Sequence, residues 1–346
     1  MKKIFALLLL LLPLQMTAGE LDVQEYLFGH IGDSYEWHIT TVNGHPASIY
    51  LPVIVYSRES GWHCFSSEHL YEGECRYDNF RIAGKGEKYE GKVVEDVGGA
   101  VLKPVDISIT KNVLGLIINC TLLVVLILWA ASWYRKHDAR KEVPGGFAGL
   151  IEMIVTMIED DVIKDCIGKE YKRYSPYLLT AFFFIFINNL MGIVPFFPGG
   201  ANITGNIAVT LVLALCTAFA VNVFGNKHYW KDILWPEVPT WLKVPLPLMP
   251  LIEIIGIFTK PFSLMIRLFA NILAGHCMIL GVLAVIFLTA EMGAAINHSL
   301  SFVAVILGVF MDCLELLVAF LQAYVFTMLS SVFIGLSVQN PETEKK

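Results

Sequence analysis

The sequence predicts an all-α polytopic membrane protein with about five transmembrane crossings, long tilted antiparallel helices, an amphipathic surface helix and a small exported β-rich N-terminal extension. Three observations carry this. The 346 residues are 55% hydrophobic and 16% charged, with mean hydropathy +0.61, too apolar for a soluble domain. Several apolar runs reach the ~20 residues that cross a bilayer core. Lys and Arg are sorted between loops: eight in Arg135–Arg173, three from Lys227 to Lys243 and two at the C-terminus, against none in Pro198–Gly205 or Glu291–Ser299. The positive-inside rule then sets the mature N-terminus outside, the C-terminus in the cytoplasm and the number of crossings odd, in a bacterial inner membrane.

The same composition excludes other classes. A net charge of −6 with no basic, aromatic-laced face gives no nucleic-acid partner. No glycine-rich phosphate loop, metal-ligand spacing or cofactor motif is present. The lipid bilayer is the one partner that composition itself demands.

In chain order, residues 1–18 read as a signal peptide. Met1-Lys2-Lys3 precedes an apolar run from Ile4 to Leu14, too short to span, and Met16-Thr17-Ala18 offers a small-residue cleavage site. Residues 19–106 are polar and mixed, and are expected outside the cytoplasm. Runs at Tyr35–Val42 and Ala47–Tyr56 flank Asn43-Gly44, a hairpin signal, and Asn79–Ile82 and Lys92–Val94 read as further strands. Cys64 and Cys75 could pair in an oxidising compartment. The other five cysteines, Cys120, Cys166, Cys216, Cys277 and Cys313, lie in or beside apolar segments and read as buried small hydrophobes.

Residues 107–346 form the membrane domain. Asn112–Tyr134 is the first span, with Trp129, Trp133 and Tyr134 at one interface and Arg135, Lys136, Arg140 and Lys141 beyond it. From Gly145 to about Tyr171, apolar residues recur at helical spacing with acidic ones between, which reads as the surface helix. Tyr177–Phe197 is the second span, and the third opens on Asn202, Thr204 and Asn206. The run from Val244 to Ala290 exceeds one perpendicular crossing, so it is either one long tilted helix or a broken one. Leu300 to about Val338 is the last long helix.

Arg267 lies deep in the Val244–Ala290 run, where a guanidinium costs at least ~2.5–3.5 kcal/mol on insertion scales. The plain readings, snorkelling or a static ion pair, are opposed by its depth. On an ideal helix Glu253, Lys260 and Arg267, seven apart, share a stripe with Asn271. Glu253 lies ~21 Å to the cytoplasmic side of Arg267, and His276 ~13 Å to the outer side on the opposite face. The last helix carries Asp312, Glu315 and Gln322. With Gln322 level with Arg267, antiparallel packing brings His276 between Asp312 and Glu315. A His beside a carboxylate can relay protons; an arginine cannot, and only holds or repels charge. The spacings thus give two offset polar half-paths separated by a fixed positive charge. Asn189, Asn202 and Asn206 are explained by interhelical hydrogen bonds.

Ser263-Leu264-x-x-Arg267-Leu268-Phe269-x-Asn271-x-x-Ala274-Gly275, followed by Leu321-Gln322-Ala323-Tyr324-Val325-Phe326, resembles subunit a of the F-type ATP synthase membrane sector. Asn189-Leu190-x-Gly192-x-x-Pro195 matches it too, and the resemblance covers about Asn112–Val338. It implies a non-catalytic stator protein beside a rotating ring of small carboxylate-bearing subunits, held by a peripheral stalk subunit. Protons enter by an outer half-channel and leave by an inner one. Arg267 matches the arginine facing the ring carboxylate and blocking leakage, and Gln322 its neighbouring glutamine. His276 and Glu315 match the outer pair, and Glu253 an inner carboxylate. Asn271, Asp312, Lys260 and Asn206 are further polar candidates. Two departures stand out. The best-studied pattern has the acid and histidine of the outer pair exchanged, and it lacks the 19–106 extension. A secondary ion-coupled transporter and a membrane-anchored sensor are the competing readings; the first predicts internal repeats, which the sequence lacks.

Overall fold

The computed structural model describes residues 32–338, apart from 43–44, 72–74, 85, 139–141, 143, 195–196, 235–247 and 290–292. The signal peptide, the Asn43-Gly44 turn, the Lys243 region and the C-terminal lysines lie outside the described residues. Two compact units are present: Asp33–Ala274 with Glu315 onward, and Gly275–Leu314.

The first unit opens with three small sheets. β1 (Glu36–Val42) and β2 (His45–Tyr50) pair antiparallel, with Val42 opposite His45, the register expected for a two-residue turn. β3 (Pro52–Ser57), β4 (Gly61–Ser66) and β8 (Val105–Asp106) form a sheet in the order β4-β3-β8, and β5 (Phe80–Ile82), β6 (Val93–Val97) and β7 (Ala100–Leu102) form the third. The expected strand Ala47–Tyr56 is therefore two strands in two sheets. The break is at Leu51, whose N–H leaves both ladders and donates to the Tyr35 carbonyl and to Ser67 Oγ. Strands β7 and β8, of three and two residues, carry too few alternating residues to stand out in the sequence.

Tyr35, Val53, Val55, Phe65, Leu70, Phe80 and Val93 form the apolar core of these sheets. Tyr35 ties them together: its hydroxyl donates to Asp106 Oδ2 at 2.5 Å and accepts from the Val93 N–H at 3.3 Å. Burial first, and Asp106 second, push its pKa up. On the surface, Arg81 Nε donates to Asp96 Oδ2 at 2.8 Å and Arg76 adds a contact at 3.1 Å, so the Asp96 carboxyl is held below the usual range, chiefly by Arg81. Cys64 lies opposite Ile54 across β3–β4, while the Cys75 thiol sits 3.7 Å from the Tyr71 carbonyl; the two sulfurs are not bonded to each other.

These sheets are seated on the membrane part. Trp37, 3% exposed, packs with Ala201, Ile203, Leu114 and Val209, and meets Phe197 edge-on at 5.2 Å between centroids. Gly115 permits this: a Cβ there would lie 2.7 Å from that of Ala201.

The helices are α1 (Lys111–Lys136), α2 (Gly146–Ile158), α3 (Tyr171–Ile193), α4 (Ile207–Val223), α5 (Lys227–Leu234), α6 (Leu248–Leu288) and α7 (Ala294–Val338). Among the described residues, four helical runs are long and apolar enough to span a membrane, and a fifth if α4 and α5, bent by 98°, count as one. Their faces are inverted relative to a soluble protein. Asn119 of α1, Thr210, Ala214 and Thr217 of α4, and Ala319, Ala323, Ser330 and Ser331 of α7 are buried, while Val125, Leu128, Leu215, Phe219, Leu317 and Leu336 are exposed. Small and polar residues between helices with apolar ones outside is the packing expected when the solvent is lipid.

Three expectations are revised, for the surface helix, the outer loop and the cysteines, and one open choice, for the Arg267 segment, is settled. The helix predicted from Gly145 to Tyr171 is apolar on both sides in its first half: Ile151 and Ile154 face inward, and Phe147, Leu150 and Met153 face out. It continues through a π-helical turn (Glu159–Lys164) to Ile167, and Gly168, at φ +76°, turns the chain into α3. The Arg267 segment is one helix of 41 residues with Pro261 inside it, not a broken one, and the outer loop is shorter than Glu291–Ser299 because α7 begins at Ala294. Cys216 and Cys313 are exposed, and Cys120, Cys166 and Cys277 half-buried, rather than buried.

Within the second unit, Thr289 Oγ1 and Ser301 Oγ both donate to Asn297 Oδ1, at 3.0 and 3.1 Å, and Ala284 and Ala304 are buried.

Candidate functional site

α6 and α7 present the polar residues. Their register within the first unit follows from two contacts. Asn271 Nδ2 donates to Gln322 Oε1 at 2.7 Å, and Lys260 Nζ stands 5.9 Å from the Phe333 ring centroid. Moving eleven residues back along α6 moves eleven forward along α7, so the helices are antiparallel. Gln322 is level with Asn271, one turn beyond Arg267, and not with Arg267 as the spacing argument assumed.

The inner face of α6 is apolar: Leu264, Met265, Leu268 and Ile272 are buried against Phe326 and Ala323 of α7. That fixes the rotation of α6 and turns Arg267 and Asn271 outward. Arg267 is exposed, with exposed Ser263, Ala270 and Asn271 within one turn of it on the same face, and no described residue forms an ion pair or hydrogen bond with it. A permanently charged group turned to the outer face of a membrane helix is what composition alone could not have placed.

Gln322 is 4% exposed and Glu315 6%. A buried asparagine braces this stretch of α7: Asn189 Nδ2 donates to the Ala319 carbonyl at 3.3 Å, and Asn189 Oδ1 accepts from Thr204 Oγ1 at 2.6 Å. Asn119 Nδ2 of α1 donates to Asn188 Oδ1 at 3.0 Å, so the Asn188-Asn189 pair links α1, α7 and the loop before α4. Asn119 was not singled out from the sequence; an amide inside an apolar run was the available signal. The other asparagines act locally. Asn202 Oδ1 accepts from the Gly205 N–H at 2.8 Å, and Asn206 caps α4 by accepting from the Ala208 N–H at 3.0 Å. Asn206 is thus a helix cap rather than an interhelical bridge.

Toward the start of α6, Lys260 lines a small cavity with Asn222, Tyr229 and Thr217. Tyr229 donates to Asn222 at 3.3 Å, Tyr177 and Thr217 share a hydrogen bond of 2.9 Å, and Thr217 and Ser330 one of 3.2 Å. Glu253 is half-buried two helical turns before Lys260. His276 and Asp312 belong to the Gly275–Leu314 unit, whereas Arg267, Asn271, Glu315, Gln322, Glu253 and Lys260 belong to the other. Among the described residues no group of three His, Cys, Asp or Glu is arranged to hold a metal ion.

The family model described as ATP synthase A chain matches residues 116–335, and a domain of unknown function, DUF8433, matches residues 26–107. ATP synthase subunit a of Pelodictyon phaeoclathratiforme is 43% identical over 238 residues, which cover 67% of this chain and 66% of that protein, so the chain spans about two thirds of its length. ATP synthase subunit a of Chlorobium phaeobacteroides strain BS1 is 36% identical over 315 residues, covering 85% of this chain and 89% of the relative, more than residues 107–346 alone can supply. That of Myxococcus xanthus is 41% identical over 253 residues, with 70% and 77% covered. The Asn271–Gln322 bond and the outward arginine lie on helices within the matched residues 116–335, and the match covers more than half of the sequence: the chain belongs to the ATP synthase subunit a family.

Proposed function

We propose that this chain is the stator proton-path subunit of an F-type ATP synthase, in which Arg267 faces the carboxylates of a rotating ring of small subunits and separates two offset half-channels. The observation that carries it is the exposure of Arg267 on a membrane-helix face, without a partner among the described residues and one turn from the Asn271–Gln322 bond. A guanidinium in that position needs an anion from outside the chain, and a ring carboxylate supplies one that comes and goes. The positive charge favours the ionised carboxylate as it passes and repels protons that would otherwise leak between the half-channels.

In this reading the outer path takes His276 and Glu315, with Asp312 as a secondary group, and the inner path takes Glu253 and Lys260. The His-acid chemistry, the spacing and the family resemblance support these assignments. The chain makes no ATP itself: one proton crossing 100 mV releases ~2.3 kcal/mol, so several per turn must be coupled to chemistry on other subunits. A peripheral stalk subunit would hold the chain against rotation. The extension is taken to lie outside the cytoplasmic membrane face, on the distribution of Lys and Arg.

Purification of the intact complex tests the reading. A small ring subunit with a membrane carboxylate should travel with this chain, and Arg267→Ala should abolish ATP-driven proton pumping in inverted vesicles. Intact pumping by that variant, or a chain purified without any ring subunit, would sink it. Family membership argues against the transporter and sensor readings.

A further inference from the structure

Away from Arg267, α3 and α4 leave an open groove of about 650 Å³. Its walls include Val212, Leu215, Phe219 and Phe224. From Val212 to Phe224 is ~18 Å of helical rise, close to one leaflet of a hydrocarbon core ~30 Å thick. Arg173 stands at the Phe224 end, its guanidinium carbon 4.9 Å from the Phe224 ring centroid and 5.7 Å from that of Tyr174. No described carboxylate pairs with it, and Lys169 and Lys172, both exposed, lie beside it in the chain.

The second observation is Tyr174. It is 5% exposed, it lines the groove, and its hydroxyl has no hydrogen-bond partner. Buried hydroxyls are ordinarily satisfied. Tyr177, three residues on and also lining the groove, is satisfied by Thr217. An apolar trough one leaflet deep, ending in an unpaired guanidinium and an unpartnered phenol, matches an acyl chain attached to a phosphate.

We propose that this groove holds one anionic phospholipid, with an acyl chain along the Val212–Phe224 wall and the phosphate at Arg173 and the Tyr174 hydroxyl. A second groove of about 350 Å³, between α1 and α3 and walled by Leu123, Ile127, Leu179 and Phe183, has no cation at its rim and serves as the internal contrast. The proposal rests on the membrane reading of α3 and α4, not on proton transfer at Arg267. Lipid retention and pumping therefore fail separately.

The test is native mass spectrometry of the intact complex, delipidated in detergent and re-exposed to phosphatidylglycerol or phosphatidylcholine of equal chain length. The wild type should retain one phosphatidylglycerol per copy of this chain and at least tenfold less phosphatidylcholine. Arg173→Gln, at an exposed position, should lower phosphatidylglycerol retention at least tenfold while ATP-driven pumping persists. Tyr174→Phe should lower it several-fold. Cys216→Trp should block retention by filling the groove's exposed wall while leaving both headgroup residues in place. Equal retention of the two lipids, or unchanged retention in Arg173→Gln, overturns the proposal. Displacement of the lipid by millimolar inorganic phosphate overturns it in favour of a free-anion site.

Discussion

Arg267→Leu separates a functional arginine from a structural one. If Arg267 held the fold through an ion pair, removing it would leave a buried partner uncompensated and cost 3–5 kcal/mol. The structure gives the opposite expectation, because the guanidinium is exposed and no described residue pairs with it. On insertion scales the change from Arg, about +2.5 to +3.5 kcal/mol, to Leu, about −0.5, removes up to ~3–4 kcal/mol of unfavourable placement. That is an upper bound, since the side chain can reach polar groups in the unfolded state. The purified full-length chain, unfolded by denaturant in bicelles, should therefore be at least as stable as wild type with leucine at 267, while the assembled complex loses ATP-driven pumping. Destabilisation by more than about 1 kcal/mol would refute the reasoning by showing that Arg267 has a partner within the fold.

Three more outcomes are expected. Asn271→Leu should destabilise the chain by about 1–3 kcal/mol by stranding the buried Gln322 amide, and adding Gln322→Leu should recover part of the loss. A double-mutant cycle should give a coupling of about 0.6–1.7 kcal/mol, and a value near zero would remove the bond from the account. Gly335→Ala should be among the most disruptive single substitutions, because its Cβ would lie 2.1 Å from the Cys166 carbonyl oxygen, backbone with little room to give; thermal unfolding that matches wild type would contradict the close approach. In the extension, the Asp96 carboxyl is held down chiefly by Arg81, so its contribution to stability is complete above the unfolded carboxylate value of about 4 and is lost as pH falls through the lower folded value. Proteolysis of the extension against pH should accordingly show a shallower acid limb in Asp96→Asn, and an unchanged limb would assign it to other carboxylates.

Much of the membrane architecture was legible in the sequence because lipid imposes simple demands. Spans must be ~20 residues long and apolar, and basic residues mark the cytoplasmic ends. The span at Asn112–Tyr134, and the one opening on Asn202, Thr204 and Asn206 and running to about Phe224, accordingly sit within a few residues of α1 and α4. The rarity of charge in such segments singled out Arg267, and the spacing to Glu315 with the family motif singled out Gln322, before any contact was known. The extension was harder. Strands as short as Ala100–Leu102 and Val105–Asp106 carry no periodicity to read, and the long apolar run through Leu51 hid a change of sheet.

The sequence by itself determined that Arg267 sits in a membrane helix and that its family partner, Gln322, sits in another, because both follow from hydropathy and local motif. Only the tertiary structure decided which way Arg267 faces and what stands beside it. Rotation of α6 is set by the burial of Leu264, Leu268 and Ile272 against α7, and the level of Gln322 by its bond to Asn271 rather than by any spacing along one helix. The same is true of Trp37, whose burial against Ala201 and Ile203 seats the extension on the loop before α4. These are contacts between segments far apart in the chain, which no local pattern encodes.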